Sequence, residues 1–225
     1  MSRVALVTGA GRGVGLEICR RLGAAGCTVV LTARHPERGA AAARSLREEG
    51  HDVCFRELDV DRPAAVRELA ARVMDEHGRL DALINNAAIS IDSAGLATLE
   101  LEVLHRSFDT NFLGALGCCQ AVLPFMLAAG HGRIVNVSSD HGSFPKLAAG
   151  NPGYRLSKTA LNTLTVILAD EVKEINVLVN AMTLGGSCED PGAVASAAET
   201  AAWLATLPDD GPRGRFFRDR AEISW

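Results

Sequence analysis

Tyr154 is the only tyrosine among 225 residues, and Lys158 follows it by four positions. On a helix that spacing puts both side chains on one face. An isolated phenol titrates near ~10 and exchanges protons poorly at neutral pH; a neighbouring ammonium stabilises the phenolate and lowers that value. Such a pair can serve as proton donor and acceptor, although a Tyr/Lys pair at this spacing is more often a solvated surface pair. It gains weight from NVSS, Asn136 to Ser139, where an apolar run ends in two serines, either of which could hold a substrate oxygen and stabilise charge developing there. Asp140 and His141 come next and suggest a Ser-His-Asp hydrolase. The sharp GxSxG elbow of such enzymes is absent, however, and adjacent residues on an extended segment point in different directions. His141 is therefore read as a pocket-lining or solvated residue.

A second constellation is TGAGRGVG, Thr8 to Gly15, which follows an apolar run and opens into a helical pattern. Gly9 permits a tight turn, while Gly13 and Gly15, with Val14 between them, let backbone and helix approach a pyrophosphate at the positive helix end. With 22 glycines in the chain, chance matches are expected, so the strand–turn–helix context carries the weight. The second apolar run ends as LTARH, with Arg34 where an acidic residue would hold the ribose 2′-hydroxyl of NAD. Arg12 projects from the glycine turn. Two guanidiniums converging on one phosphate favour NADP(H) over NAD.

The elements that must position these residues alternate in period. Arg3 to Thr8, Cys27 to Thr32, Asp52 to Leu58, Ala82 to Asn85, Arg133 to Ser138 and Ile175 to Met182 are short apolar runs, with a last short strand around Phe216 and Phe217. Helical spacing fills Val14 to Ala25, Pro36 to Glu49, Pro63 to His77, Phe108 to Ala129, Tyr154 to Glu174 and Ala193 to Leu207. The pattern predicts one doubly wound α/β domain over residues 1–225, with a mostly parallel, seven-stranded sheet and helices on both faces. Ligands then bind beyond the carboxyl ends of the strands. A formal charge of −4 offers no basic field for nucleic acid. No signal peptide is visible and no run approaches the roughly 18 apolar residues of a membrane span. The six cysteines have no metal-ligand spacing and read as reduced thiols, mostly in the core. A cytoplasmic protein with no bound metal is expected.

The TGxxxGxG spacing, together with LDV (Leu58 to Val60), NNAA (Asn85 to Ala88), Asn111, NVSS and YRLSK (Tyr154 to Lys158), resembles the short-chain dehydrogenase/reductase family over nearly the whole chain. GRFFRDRAEISW, Gly214 to Trp225, most resembles its carbonyl-reductase-like branch. The resemblance implies a Rossmann-type fold. It puts Asp59 and Val60 against the adenine, Asn86 beside the adenosine ribose, and Ala88 where the family has glycine. It selects Ser139 rather than Ser138 as the catalytic serine, gives Lys158 the nicotinamide ribose hydroxyls as well as Tyr154, and makes Asn111 the support of a water that replenishes the proton. The implied reaction is hydride transfer from NADPH to a ketone or aldehyde, with Tyr154 protonating the oxygen. A redox-neutral epimerase or dehydratase and a catalytically impaired NADP-binding protein are the alternatives.

The segment after Met182 departs from the family. The usual Pro-Gly turn, Thr and long lid are replaced by Leu184-Gly185-Gly186, with Thr183 or the Leu184 backbone expected to hold the nicotinamide carboxamide, and the helix carrying Trp203 arrives early. A more open cleft follows, with either a bulky substrate or reduced turnover. Substrate choice falls to Ser90–Thr98, Asp140–Gly153 and Leu184–Val194, with Phe144, Pro145 and Leu147 as candidate walls for a hydrophobic, natural-product-like carbonyl compound. The broad apolar faces of Phe108–Ala129 and Tyr154–Glu174 imply, by the same resemblance, a homodimer or homotetramer.

Overall fold

The computed structural model describes residues 2–92 and 95–225, so Ser93 and Ala94 of the Ser90–Thr98 stretch lie outside the described residues. The elements are β1 (Val4–Val7), α1 (Gly13–Ala24), β2 (Thr28–Ala33), α2 (Pro36–Glu48), β3 (Val53–Glu57), α3 (Pro63–His77) and β4 (Ala82–Asn85). They continue with α4 (Leu101–Phe108), a π-helical turn (Asp109–Leu113), α5 (Gly114–Ala129), β5 (Gly132–Val137), α6 (Pro152–Glu171), β6 (Val177–Met182), α7 (Pro191–Ala205), β7 (Phe216–Arg218) and β8 (Ala221–Ile223).

The described strands form one sheet in the order β3-β2-β1-β4-β5-β6-β7-β8, and every neighbouring pair is parallel except β7–β8. The interior strands read as unbroken apolar runs because both faces are covered. In β1, Ala5 and Val7 join the core under α1, α2 and α7 with Ile18, Leu46 and Ala201, whereas Val4 and Leu6 join the core under α3, α5 and α6 with Val73, Val122 and Leu168. Strand order reverses between β1 and β4, which opens a crevice at their carboxyl ends.

The sheet has eight strands among the described residues, not the expected seven. β8 folds back on β7 through Asp219 and Arg220, both with positive φ, 51° and 61°. That backbone usually asks for Asn-Gly, so RDRA gives no turn signal. Contacts offset the cost instead: the Ser196 hydroxyl donates to the Asp219 carboxylate, and the Arg220 N–H donates to Thr200 Oγ1 at 3.2 Å.

The expected helix Phe108–Ala129 is the second part of a longer helical run, Leu101–Ala129, broken at the π turn. Its most apolar 18-residue window has a mean hydropathy of 1.8, so by length and composition this run could cross a membrane, contrary to the expectation from sequence. In the fold it is a covering helix: Cys118, Val122 and Met126 of α5 are buried in the second core.

Candidate active site

The glycine turn is bolted to the end of β4. Gly9 has a φ of 64°, and a Cβ there would come within 2.7 Å of Ala87 Cα. The Asn86 side-chain amide donates to the carbonyls of Thr8 (2.8 Å) and Gly9 (3.1 Å), and Thr8 Oγ1 accepts the N–H groups of Asn86 and Ala87 at 3.0 Å each. A Cβ at Gly15 would lie 2.4 Å from Asn86 Nδ2, so α1 can pack this closely only with glycine there. Asn86 thus shapes the turn, and its amide hydrogens are spent on it. At the start of α1, Arg12 makes no side-chain cap and no acidic residue stands in the first turn, which leaves the positive end of the helix dipole bare.

Above this turn lies a cleft of about 560 Å³. Gly9, Gly13, Val14 and Gly15 form its floor and Asn86 and Ala88 one side, while Arg12, Arg34 and Arg38 bring three guanidiniums to its rim. Among the described residues none of the three has a carboxylate within ion-pair distance. A bare helix N-terminus, unpaired guanidiniums and an apolar slot between Leu58 and Val60 fit the pyrophosphate, the 2′-phosphate and the adenine of NADP(H). Asp59 does not line the cleft, contrary to expectation. The strand end turns its carboxylate back onto the chain, where Oδ1 accepts the Asp61 N–H at 3.3 Å. Arg38 and His35 were not anticipated; LTARHPERG puts Arg38 in the first turn of a helix opening at Pro36, on the side that faces the glycine turn.

A second cleft of about 420 Å³ shares Cys188 with the first and is lined by Ser139, Tyr154, His141 and Asn151. The two serines are separated by their partners. Ser138 donates to Asn162 Oδ1 at 2.5 Å and is buried, whereas Ser139 Oγ accepts the His141 N–H at 3.1 Å and faces the Tyr154 hydroxyl. Tyr154 sits in the first turn of α6, entered through Asn151-Pro152-Gly153. Lys158, 2% exposed, lies one turn on, with Nζ donating to the Val137 carbonyl at 2.7 Å and 5.7 Å from the Tyr154 ring centroid.

The sequence led us to expect the ammonium to lower the phenol. Instead burial pushes Tyr154 above its ordinary range; hydrogen bonding to Ser139 offsets part of this and Cys188 adds to it. Lys158 sits beside the ring with its proton committed to Val137, and burial lowers its own pKa to about 8. Asn111, buried in the π turn, receives the Ile89 N–H on Oδ1 (2.7 Å) and donates to the Ile89 carbonyl (2.8 Å) and Ser157 Oγ (3.0 Å). Its side chain therefore ties the segment after β4 to α6, and both amide hydrogens are used.

The segment after β6 also differs from expectation. Thr183 lines the second cleft, but its hydroxyl oxygen accepts the N–H groups of Asp140 (3.1 Å) and Gly185 (3.4 Å). Both glycines line the cleft, and each is also packed against its own chain: a Cβ would meet Arg218 Cδ at 2.4 Å from Gly185, and Ala193 Cβ at 2.9 Å from Gly186. Phe144, 74% exposed, and Leu147 do not wall the cleft, and neither does Pro145. The ring of His141 stands edge-on to Tyr154 at 6.1 Å, and Asp140 pairs with Lys146 and Arg218, so no Ser-His-Asp relay forms.

The profile of the short chain dehydrogenase family matches residues 3–196. Carbonyl reductase [NADPH] 3 of Rattus norvegicus is 32% identical over an alignment of 281 positions covering 100% of this chain and 99% of the relative. Carbonyl reductase [NADPH] 1 of Sus scrofa is 31% identical over 279 positions, covering 100% and 94%. These alignments are longer than the 225-residue chain, so the relatives carry segments that it lacks. Among solved structures, a metagenomic short-chain oxidoreductase in complex with NADP superposes with a TM-score of 0.85 at 32% identity, over 94% of this chain and 93% of that one. A single-substitution variant of actinorhodin polyketide ketoreductase with NADPH gives 0.86 at 29% identity, over 96% and 94%.

Proposed function

Because the chain belongs to the short-chain dehydrogenase/reductase family, in its carbonyl-reductase-like branch, we propose that this NADPH-dependent oxidoreductase reduces a ketone or aldehyde to an alcohol in the cleft between Ser139 and Tyr154. One observation carries the reading: the Ser139 hydroxyl and the only tyrosine line one cleft that shares Cys188 with the arginine-rimmed nucleotide cleft. Bound NADPH supplies the hydride.

The chain's own residues do the rest. The Ser139 hydroxyl donates to the carbonyl oxygen and steadies the charge that grows on it. Tyr154 gives that oxygen a proton. A phenol is protonated at neutral pH, the form a reduction requires, and burial reinforces this by raising its pKa. Lys158 holds the ammonium side of the site, with hydrogens beyond the one given to Val137 available to the nicotinamide ribose. Asn111 fixes the relation of α6 to the segment after β4, so a role in proton supply would run through its main chain. Arg12, Arg34 and Arg38 select the 2′-phosphate. The reading extends to a one-domain, cytoplasmic protein that pairs through α5 and α6, where Leu127, Val166 and Ile167 stand exposed.

Consumption of reduced nicotinamide, followed by absorbance against a panel of ketones and quinones, tests the reaction. Tyr154→Phe is expected to abolish turnover, by 10²-fold or more as an order of magnitude for a lost proton donor, while NADPH binding by titration calorimetry stays unchanged. Undiminished turnover in that variant would remove Tyr154 from the chemistry.

A further inference from the structure

The chain between β6 and α7 is short, and its glycines line the cleft while packing closely against neighbouring side chains. β7 extends the sheet beside it, where the Thr183 N–H donates to the Phe217 carbonyl at 2.9 Å. The next residue, Arg218, lies across Gly185, whose φ of +73° and missing side chain leave room for the arginine stem. The guanidinium then donates from Nη1 to Asp140 Oδ2 at 3.2 Å, an oxygen that also receives Lys146 Nζ at 2.7 Å. The Asp140 N–H meets Thr183 Oγ1, which takes the Gly185 N–H as well. Asp140 immediately follows Ser139. The turn presenting the serine is therefore fastened by its backbone to the end of β6 and by its carboxylate to β7.

We infer that Arg218 is a positioning residue that takes over the work of the absent lid, clamping the short loop Leu184–Asp190 and the Ser139 turn into one preformed wall of the catalytic cleft. This rests on the role proposed for Ser139. An exposed ion pair alone contributes little; Lys146 is nearer to Asp140, but its side chain is half exposed and ties the carboxylate only to its own loop, whereas Arg218 ties it to β7. Arg218 packs its stem over Gly185 and adds what a lysine lacks, a planar head aimed at the carboxylate. A small displacement of a group that must meet the reacting oxygen is costly to rate, whereas nucleotide affinity rests mainly on the glycine turn and its arginines, with only Cys188 and Glu189 of the loop reaching that cleft.

The test uses the full-length protein with Arg218→Ala, Arg218→Lys, Asp140→Asn and the Ala/Asn double variant. Amide hydrogen exchange is read over residues 139–146 and 183–190, alongside kcat, KM for the carbonyl and NADPH affinity. Arg218→Ala is expected to speed exchange in both segments and to lower kcat about tenfold, with NADPH affinity held within about twofold. Arg218→Lys recovers part of the loss. The double variant is no worse than the poorer single one, because both remove the same clamp. Unchanged exchange in Arg218→Ala overturns the clamp, and faster exchange with unchanged kcat overturns the positioning role. Exchange needs no substrate, so a wild-type protein that reduced no carbonyl would sink the reductase reading while the clamp was still decided.

Discussion

Lys158 shows why single residues in this site are under conflicting demands. Burial lowers its pKa to about 8, since an ammonium with one carbonyl partner is poorly solvated there. Below about 8 the amine is charged in both the folded and unfolded chains, and the burial penalty acts in full. Between about 8 and the ordinary lysine range, the folded chain releases the proton while the unfolded chain keeps it, so stability from this group rises with pH. Lys158→Met removes the titration. The stability of the native protein relative to that variant should therefore climb by on the order of 2 kcal/mol between pH ~8 and ~10, read from urea midpoints; parallel curves would reject it. The sequence placed Lys158 one turn from Tyr154 but gave no hint of the Val137 carbonyl, because that contact depends on how closely α6 packs on β5. Arg38 was hidden for the opposite reason: its local signal was present, but its meaning needed the helix start at Pro36 to be set against the glycine turn.

At the scale of elements, periodicity made the strands and most helices legible to within a few residues. The exceptions have physical causes. α4 was missed because eight residues with Leu101, Leu104 and Phe108 on one face are too short to stand out beside the apolar run that follows. The entry to α6 is another case. Its own N-cap, Asn151, has a φ of 48° and makes no capping hydrogen bond. The service comes from 61 positions away in sequence, where Asp92 Oδ2 accepts the Gly153 N–H at 2.8 Å. This puts a carboxylate at the positive end of the helix that carries Tyr154. Asp92→Ala should cost about 1–2 kcal/mol, seen as a lower urea midpoint, and Asp92→Asn should restore more than half, because it keeps the acceptor. An alanine variant as stable as the native protein would show that α6 needs no such cap.

For the whole molecule, the sheet brings both clefts to one edge and leaves apolar residues exposed on two outer helices. The carboxyl ends of β1, β2 and β4 frame the arginine-rimmed cleft, and those of β5 and β6 frame the cleft proposed to bind the carbonyl compound. The apolar side chains of α5 and α6 are only partly absorbed by the core. Val166 and Ile167 are adjacent and about half exposed, with Leu127 exposed on α5. A monomer leaves that surface in water, whereas pairing through these helices removes it at roughly 1.5–3 kcal/mol per large side chain fully buried. Ile167→Glu would place a carboxylate in such an interface without touching either cleft. It should weaken self-association by on the order of 100-fold, shifting sedimentation from dimer or tetramer to monomer at micromolar concentration with the helical circular dichroism unchanged. If the native protein already sediments as a monomer, or the variant keeps the native assembly, pairing does not run through this face.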